Sequence, residues 1–179
     1  MGIHYESLDE SVRKYMIEEL DLDINMRRLY ISSRLTSEGA RVWPDLLREA
    51  FLRHNDDWLA SQLRSRRLMR EIEERRTPKG RITRARVPDT APDTLAEGEF
   101  NRFYVRGLCR HVIDTGGTDV EVYRGKAVAN PRPESQAMIG RRLSAQRLLE
   151  DLRVSQGVEP ALGLPPGPNS GLTVRRVRQ

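Results

Sequence analysis

Four side chains within residues 94–124 have the types and spacing for chemistry: Glu97, Asn101, Tyr104 and His111. At about 100° per residue they fall on successive turns of one wide helical face. A carboxylate, an amide, a phenol and an imidazole would then project together into one pocket, the core of a small enzyme's site. The competing reading is structural: Glu97 is half of a capping box with Thr94, Asn101 is a buried amide bonded to a neighbouring loop, and His111 is a satisfied core histidine. Buried polar groups are mostly hydrogen-bonded for structural reasons, so the structural reading is preferred. Arg102, Arg106 and Arg110 form an i, i+4 ladder on the other side, joined by Glu99. Such a ladder is ordinarily a solvated face, and its sharper use is to meet a carboxylate-rich or phosphate partner.

Other chemistries find no support in the spacing. There is no Gly-x-Gly-x-x-Gly or Gly-x-x-x-x-Gly-Lys phosphate loop, and Gly116-Gly117 follows a helix rather than a strand. His4, His54 and His111 never fall at metal-ligand spacing. A calcium loop beginning at Asp21 would need glycine and glutamate where Met26 and Ser32 stand. Cys109 and His111 sit two apart on one helix and point apart, which excludes a nucleophile pair. The sequence is therefore read as non-enzymatic, with no metal and no cofactor.

The element that positions the four side chains is a helix of about 20 residues, from a Thr94/Glu97 cap to a stop at Gly116 or Gly117. Its apolar arc includes Phe100, Phe103, Tyr104 and Leu108, wide enough to be buried from more than one side. Ahead of it, Ser7 and Glu10 suggest a capping box for a helix carrying Leu8, Val12, Met16 and Leu20. Leu29-Tyr30-Ile31 suits a short strand or a last helical turn. Thr36 starts another helix that restarts at Pro44, and Asn55 caps a third. Residues 64–76 read as a charged helix and residues 81–87 as a basic strand or arm after the turn Thr77-Pro78-Lys79-Gly80. Residues 88–92 are a linker. A strand at 120–123, a helical turn from Pro133 to Gly140 and a helix capped by Ser144 complete residues 1–156. Residues 157–179, rich in proline and glycine, read as an extended tail with a strand-like basic tip at 172–178.

The expected fold is mainly α: four to six helices, a small β element and an extended C-terminal tail. The 179 residues suit one such domain with an appendage. No run approaches the roughly 20 apolar residues that span a bilayer, and the first residues lack a signal-peptide layout. With one cysteine, an intracellular, cytoplasmic setting is expected, a virion being the other. Of the 31 basic residues only Lys14, Lys79 and Lys126 are lysine. Their distribution is uneven: residues 1–60 carry 8 basic and 12 acidic side chains, residues 61–88 carry 10 and 3, and residues 89–179 carry 13 and 11.

That layout suggests an assembly or structural protein, docking on neighbouring subunits of a homo- or hetero-oligomer through its tail and the basic segment 64–86. Virion connector and minor capsid components share such a build as architectural analogy only. The expected contact residues are Arg81, Arg84, Arg86, Arg102, Arg106, Arg110, Leu172, Val174, Arg175, Arg176 and Arg178. The alternative is nucleic-acid binding through residues 64–86 and the C-terminal arginines, without base stacking because no aromatic interleaves them.

Overall fold

The computed structural model describes residues 1–156 and 170–178. Among them the chain is mainly α, with six helices and two small sheets. The helices are α1 (Glu10–Asn25), α2 (Ser37–Arg53), α3 (Asp56–Ser65), α4 (Ala91–Asp114), α5 (Pro133–Met138) and α6 (Ala145–Val154). Strands β1 (Ile72–Arg76) and β2 (Ile82–Arg86) form an antiparallel hairpin by themselves. Strands β3 (Asp119–Arg124), β4 (Arg142–Ser144) and β5 (Leu172–Arg176) form an antiparallel sheet in the order β4-β3-β5. No helix among the described residues is long and apolar enough to cross a membrane.

Helix α4 is the axis of the molecule, touching α1, α2, α3 and α6 as well as β3 and β5. Its aromatic side anchors a cluster in which Tyr5 lies 5.1 Å from Phe100 and 4.7 Å from Tyr104, and Phe51 lies 5.1 Å from Phe103. Tilted pairs at this spacing contribute beyond the area they bury. At Gly107 the backbones of α4 and α1 nearly touch: a Cβ there would lie 2.7 Å from Met16 Cγ and 2.9 Å from the Val12 carbonyl. Gly116 takes φ +85° and closes the helix, with Gly117 N–H donating to the Val112 carbonyl and Gly116 N–H to that of Ile113.

Several expected boundaries move. Helix α4 begins at Ala91, so Pro92 is in its first turn and Thr94 lies inside the helix rather than capping it. Asp9, not Ser7, caps α1 by accepting from Val12 N–H; Ser7 Oγ instead accepts from the Arg176 amide of β5. Helix α2 runs unbroken through Pro44. Leu29, Tyr30 and Ile31 form neither strand nor helix. At the end of α1 the fully buried residue is Asp23, not the flanking Leu22 and Ile24.

Two corrections bear on function. The charged helix at 64–76 is not one: α3 stops at Ser65 and Arg67 takes φ 53°. Residues 34–36 then catch the chain, with a Leu35–Met69 bridge and the Arg70 amide on the Arg34 carbonyl at 2.7 Å. These tertiary bonds override the helix propensity of the arginine and glutamate run. The tip of the expected tail is also not free, because residues 172–176 pair with β3 of their own chain. The remainder of that tail, residues 157–169 and Gln179, lies outside the described residues.

Candidate functional site

Helix α4 does not gather Glu97, Asn101, Tyr104 and His111 into one pocket. Asn101 Nδ2 donates to the Leu172 carbonyl at 2.9 Å, and its Oδ1 accepts from Thr173 Oγ1 at 2.6 Å. Tyr104 Oη donates to the Val174 carbonyl at 2.8 Å and accepts from the Ser7 amide at 3.2 Å. His111 Nδ1 lies 3.2 Å from Arg176 Nη2. Three of the four therefore hold β5 against the helix. Burial drives the Tyr104 hydroxyl well above its ordinary pKa and makes it a firm donor. Glu97 faces elsewhere, accepting from Lys126 Nζ at 2.6 Å.

The arginine ladder is turned inward, contrary to expectation. Arg106 is 1% exposed and Arg102 6% exposed, so neither can meet an outside partner. Arg106 Nε donates to Glu19 Oε1 at 3.0 Å, and its two terminal nitrogens grip Asp23 at 2.7 and 2.8 Å. Arg153 of α6 closes the cluster with two 2.8 Å bonds to Glu19, and Arg110 reaches Glu18 and Glu19 at 3.0 and 3.5 Å. Burial raises Glu19, but Arg153 and Arg106 more than offset this and hold it below the usual carboxylate range. Glu99 is less well served: burial pushes it up to about 7, with Arg102 only at 4.0 Å and one oxygen without a hydrogen-bond partner. Glu19 and Asp23 are four apart on α1, as are Arg106 and Arg110, which meet them from the facing helix.

The C-terminal residues are likewise committed to the chain itself. Leu172 and Val174 are fully buried. Arg175 bonds Glu121 at 3.2 Å and Glu6 at 3.1 Å, Arg176 bonds Asp9 at 2.9 Å, and Arg178 bonds Glu6 at 3.2 Å. Arg175 and Arg176 staple β5 to the N-terminal segment, and Arg178, 69% exposed, adds a surface contact with Glu6.

A small acidic cavity of about 260 Å³ lies between the start of α3 and the first turns of α4, lined by Asp56, Asp57, Asp93, Glu97 and Lys126. Asp56 accepts from the Ile3 amide at 3.1 Å, while burial pushes its pKa up to about 6. Among the described residues no group of three or more histidine, cysteine or carboxylate side chains is placed to hold a metal ion.

Among the described residues, the β1–β2 hairpin packs chiefly on itself and stands out from the body. Its loop follows from Pro78-Lys79-Gly80: Gly80 takes φ +82° and donates to the Thr77 carbonyl, while the Thr77 amide bonds the Arg81 carbonyl. Cross-strand pairs put Glu73, Ala85, Arg75 and Thr83 on one face. That face is tied to the body by Arg34, whose Nε and Nη2 bond Glu73 at 2.7 and 3.2 Å. The other face carries Ile72, Glu74, Arg76, Ile82, Arg84 and Arg86, all exposed, with Ile72 at 48% and Ile82 at 63%. Among the described residues, no hydrogen bond or ion pair engages the side chains of Arg76, Lys79, Arg81 or Arg84. Arg86 has only a 3.5 Å contact with Asp89. Behind the hairpin base lies an open groove of about 720 Å³ lined by Arg64, Met69, Arg70, Ile72, Val87 and Pro92.

Of the expected contact residues, Arg81, Arg84 and Arg86 are thus brought together on an open surface. Arg102, Arg106, Leu172 and Val174 are buried, Arg110, Arg175 and Arg176 are half-buried in ion pairs of the chain itself, and Arg178 bonds Glu6 while remaining exposed. Compared with protein-family models, with curated proteins and with solved structures, the chain finds no match in any of the three.

Proposed function

We propose that this chain is a non-catalytic docking protein, a helical body that holds a basic two-stranded ribbon out to another macromolecule. The observation that carries this reading is the outer face of the hairpin: two exposed isoleucines beside Arg76 and Arg84, whose side chains have no partner among the described residues, and Arg86, held only by a 3.5 Å contact with Asp89. A lone two-stranded hairpin is marginal in water, and here Arg34 and the Leu35–Met69 bridge anchor its base. Anchoring the base while leaving one face open presents a surface at little entropic cost on binding. A place in a larger assembly in the cell interior, a virion among the candidates, agrees with this build. The tail tip no longer supports that reading, because its strand is used within the chain.

The test is to replace residues 75–83 with Asn-Gly, which joins Glu74 to Arg84, already partners across the ladder. The shortened protein should keep its circular dichroism and thermal midpoint. In cell extract the full chain should retain macromolecules that the shortened chain does not. Identical retained sets would overturn the docking role.

A second reading, a small enzyme, has one observation behind it. Asp56, raised to about 6 by burial, lines the same cavity as the Lys126–Glu97 pair, and perturbed acids in a cleft are candidates for proton transfer. Unchanged turnover in Glu97→Gln and Lys126→Met variants, for any activity found, would remove it.

A further inference from the structure

We infer that the β1–β2 hairpin binds duplex DNA, its outer face lying in a groove with Arg76 and Arg84 on phosphates while Lys79 and Arg81 at the tip reach flanking ones. This rests on the docking reading and names its partner. Charge is the first argument. From the Glu74–Arg84 pair to the tip the hairpin carries Arg75, Arg76, Lys79, Arg81 and Arg84 against a single carboxylate, Glu74. Arg75 is held by Glu73 and the Arg86 carbonyl, which leaves four cations for a polyanion. Geometry is the second. Two strands about 4.8 Å apart make a ribbon that a B-form major groove, about 12 Å wide and 8.5 Å deep, admits. Same-face residues such as Arg84 and Arg86 are then spaced about 6.7 Å apart along the strand, and arginines so placed can follow successive phosphates.

Other occupants fit less well. A second copy of this chain would bring a like-charged hairpin. Much of the acidic surface that could complement it is already bound within its own chain: Glu6 to Arg175, Asp9 to Arg176, Glu18 to Arg110 and Asp21 to Arg48. Single strands are held by stacking on aromatic rings, and residues 70–87 contain none. An A-form RNA duplex has a major groove too narrow for side chains to enter. The outer face carries no asparagine or glutamine to read adenine, and the arginines that could read guanine are taken up by phosphates in this docking. Ile72 and Ile82 offer only apolar contact, of the kind a thymine methyl accepts. Binding is therefore tolerant of sequence and dominated by phosphate contacts.

Fluorescence anisotropy with a labelled 20-base-pair DNA duplex, across 50 to 200 mM salt, tests this. Four phosphate contacts predict a slope of log K against log salt of about −3.6. Arg81→Gln/Arg84→Gln should shrink the slope by about 2, while Arg141→Gln/Arg142→Gln, two exposed arginines at the sheet edge, should leave it unchanged. No binding at 50 mM salt, or equal losses in the two double variants, overturns the DNA assignment. So does equal affinity for an RNA duplex of the same sequence or for polyglutamate. If DNA fails while the shortened hairpin still loses its retained partners, docking stands on a different partner. If that retention is also unchanged, both fall.

Discussion

Arg106 on α4 closes on Asp23 on α1 with both terminal nitrogens, at 2.7 and 2.8 Å, where the two helices cross inside the protein. A planar guanidinium matched to a carboxylate makes two parallel bonds, and here neither partner has more than a trace of exposure. Taking two ions out of water is costly, and one left without the other is costlier still. Arg106→Met should therefore destabilise the fold by about 3 to 5 kcal/mol, read as a fall in urea midpoint with an unchanged m-value. Removing the pair together, as Arg106→Met with Asp23→Leu, should recover a large share of that loss, with Glu19 keeping its two bonds to Arg153. An Arg106→Met protein as stable as the parent would mean the pair contributes nothing net to the fold.

How much of this was legible follows from the kind of signal each element carries. Helices α2, α3 and α6 were readable because Thr36, Asn55 and Ser144 cap them through local bonds. The strand β2 was readable from Ile82 and Thr83 between arginines, after a turn with proline and glycine in the right places. Strand β1 was not, because nothing within 64–76 forbids a helix; residues 34–36 decide it from a distance. The arginine ladder was misplaced for the same reason. A run of i, i+4 arginines reads as solvated until the carboxylates opposite it are known, and these lie 83 and 87 residues away. Asn101 was read rightly as a structural amide, though its partner is β5 and not a loop.

The clamp on β5 makes a local prediction. Tyr104→Phe deletes the donor to the Val174 carbonyl and the acceptor for the Ser7 amide. Leaving such buried groups unsatisfied costs about 1 to 3 kcal/mol. Because β5 lies at the edge of its sheet, the loss should appear first as faster hydrogen exchange at residues 172–176 and at Ser7, ahead of α4. Exchange quickened equally along the whole chain would show that β5 does not open on its own.

Cys109 provides a probe of global opening. It is fully buried on α4, and burial drives its thiol far above the usual value. The thiolate is the reactive form, so a thiol reagent at pH 8 should leave the native protein unmodified over hours. Labelling should complete at once in 6 M guanidinium, and its rate at intermediate denaturant should track unfolding. Rapid stoichiometric labelling of the native chain would contradict the burial of this face of α4.

Glu99 sets an unusual pH dependence. Burial, against the pull of Arg102 and Arg106 and with Asp23 adding repulsion, raises its pKa to about 7. An unfolded glutamate titrates near 4.3, so the folded protein binds this proton more tightly. Its contribution to stability is therefore full below about pH 4 and is lost as pH rises through 7. Glu99→Gln mimics the protonated side chain and does not titrate. Its stability relative to the parent should improve by about 2 kcal/mol between pH 5 and pH 8. Glu19 is shifted the opposite way, but it titrates in both proteins and cancels in the difference. A difference that stays flat from pH 5 to 8 would mean that Glu99 ionises as an ordinary carboxylate, with Arg102 closer to it than the 4.0 Å contact implies.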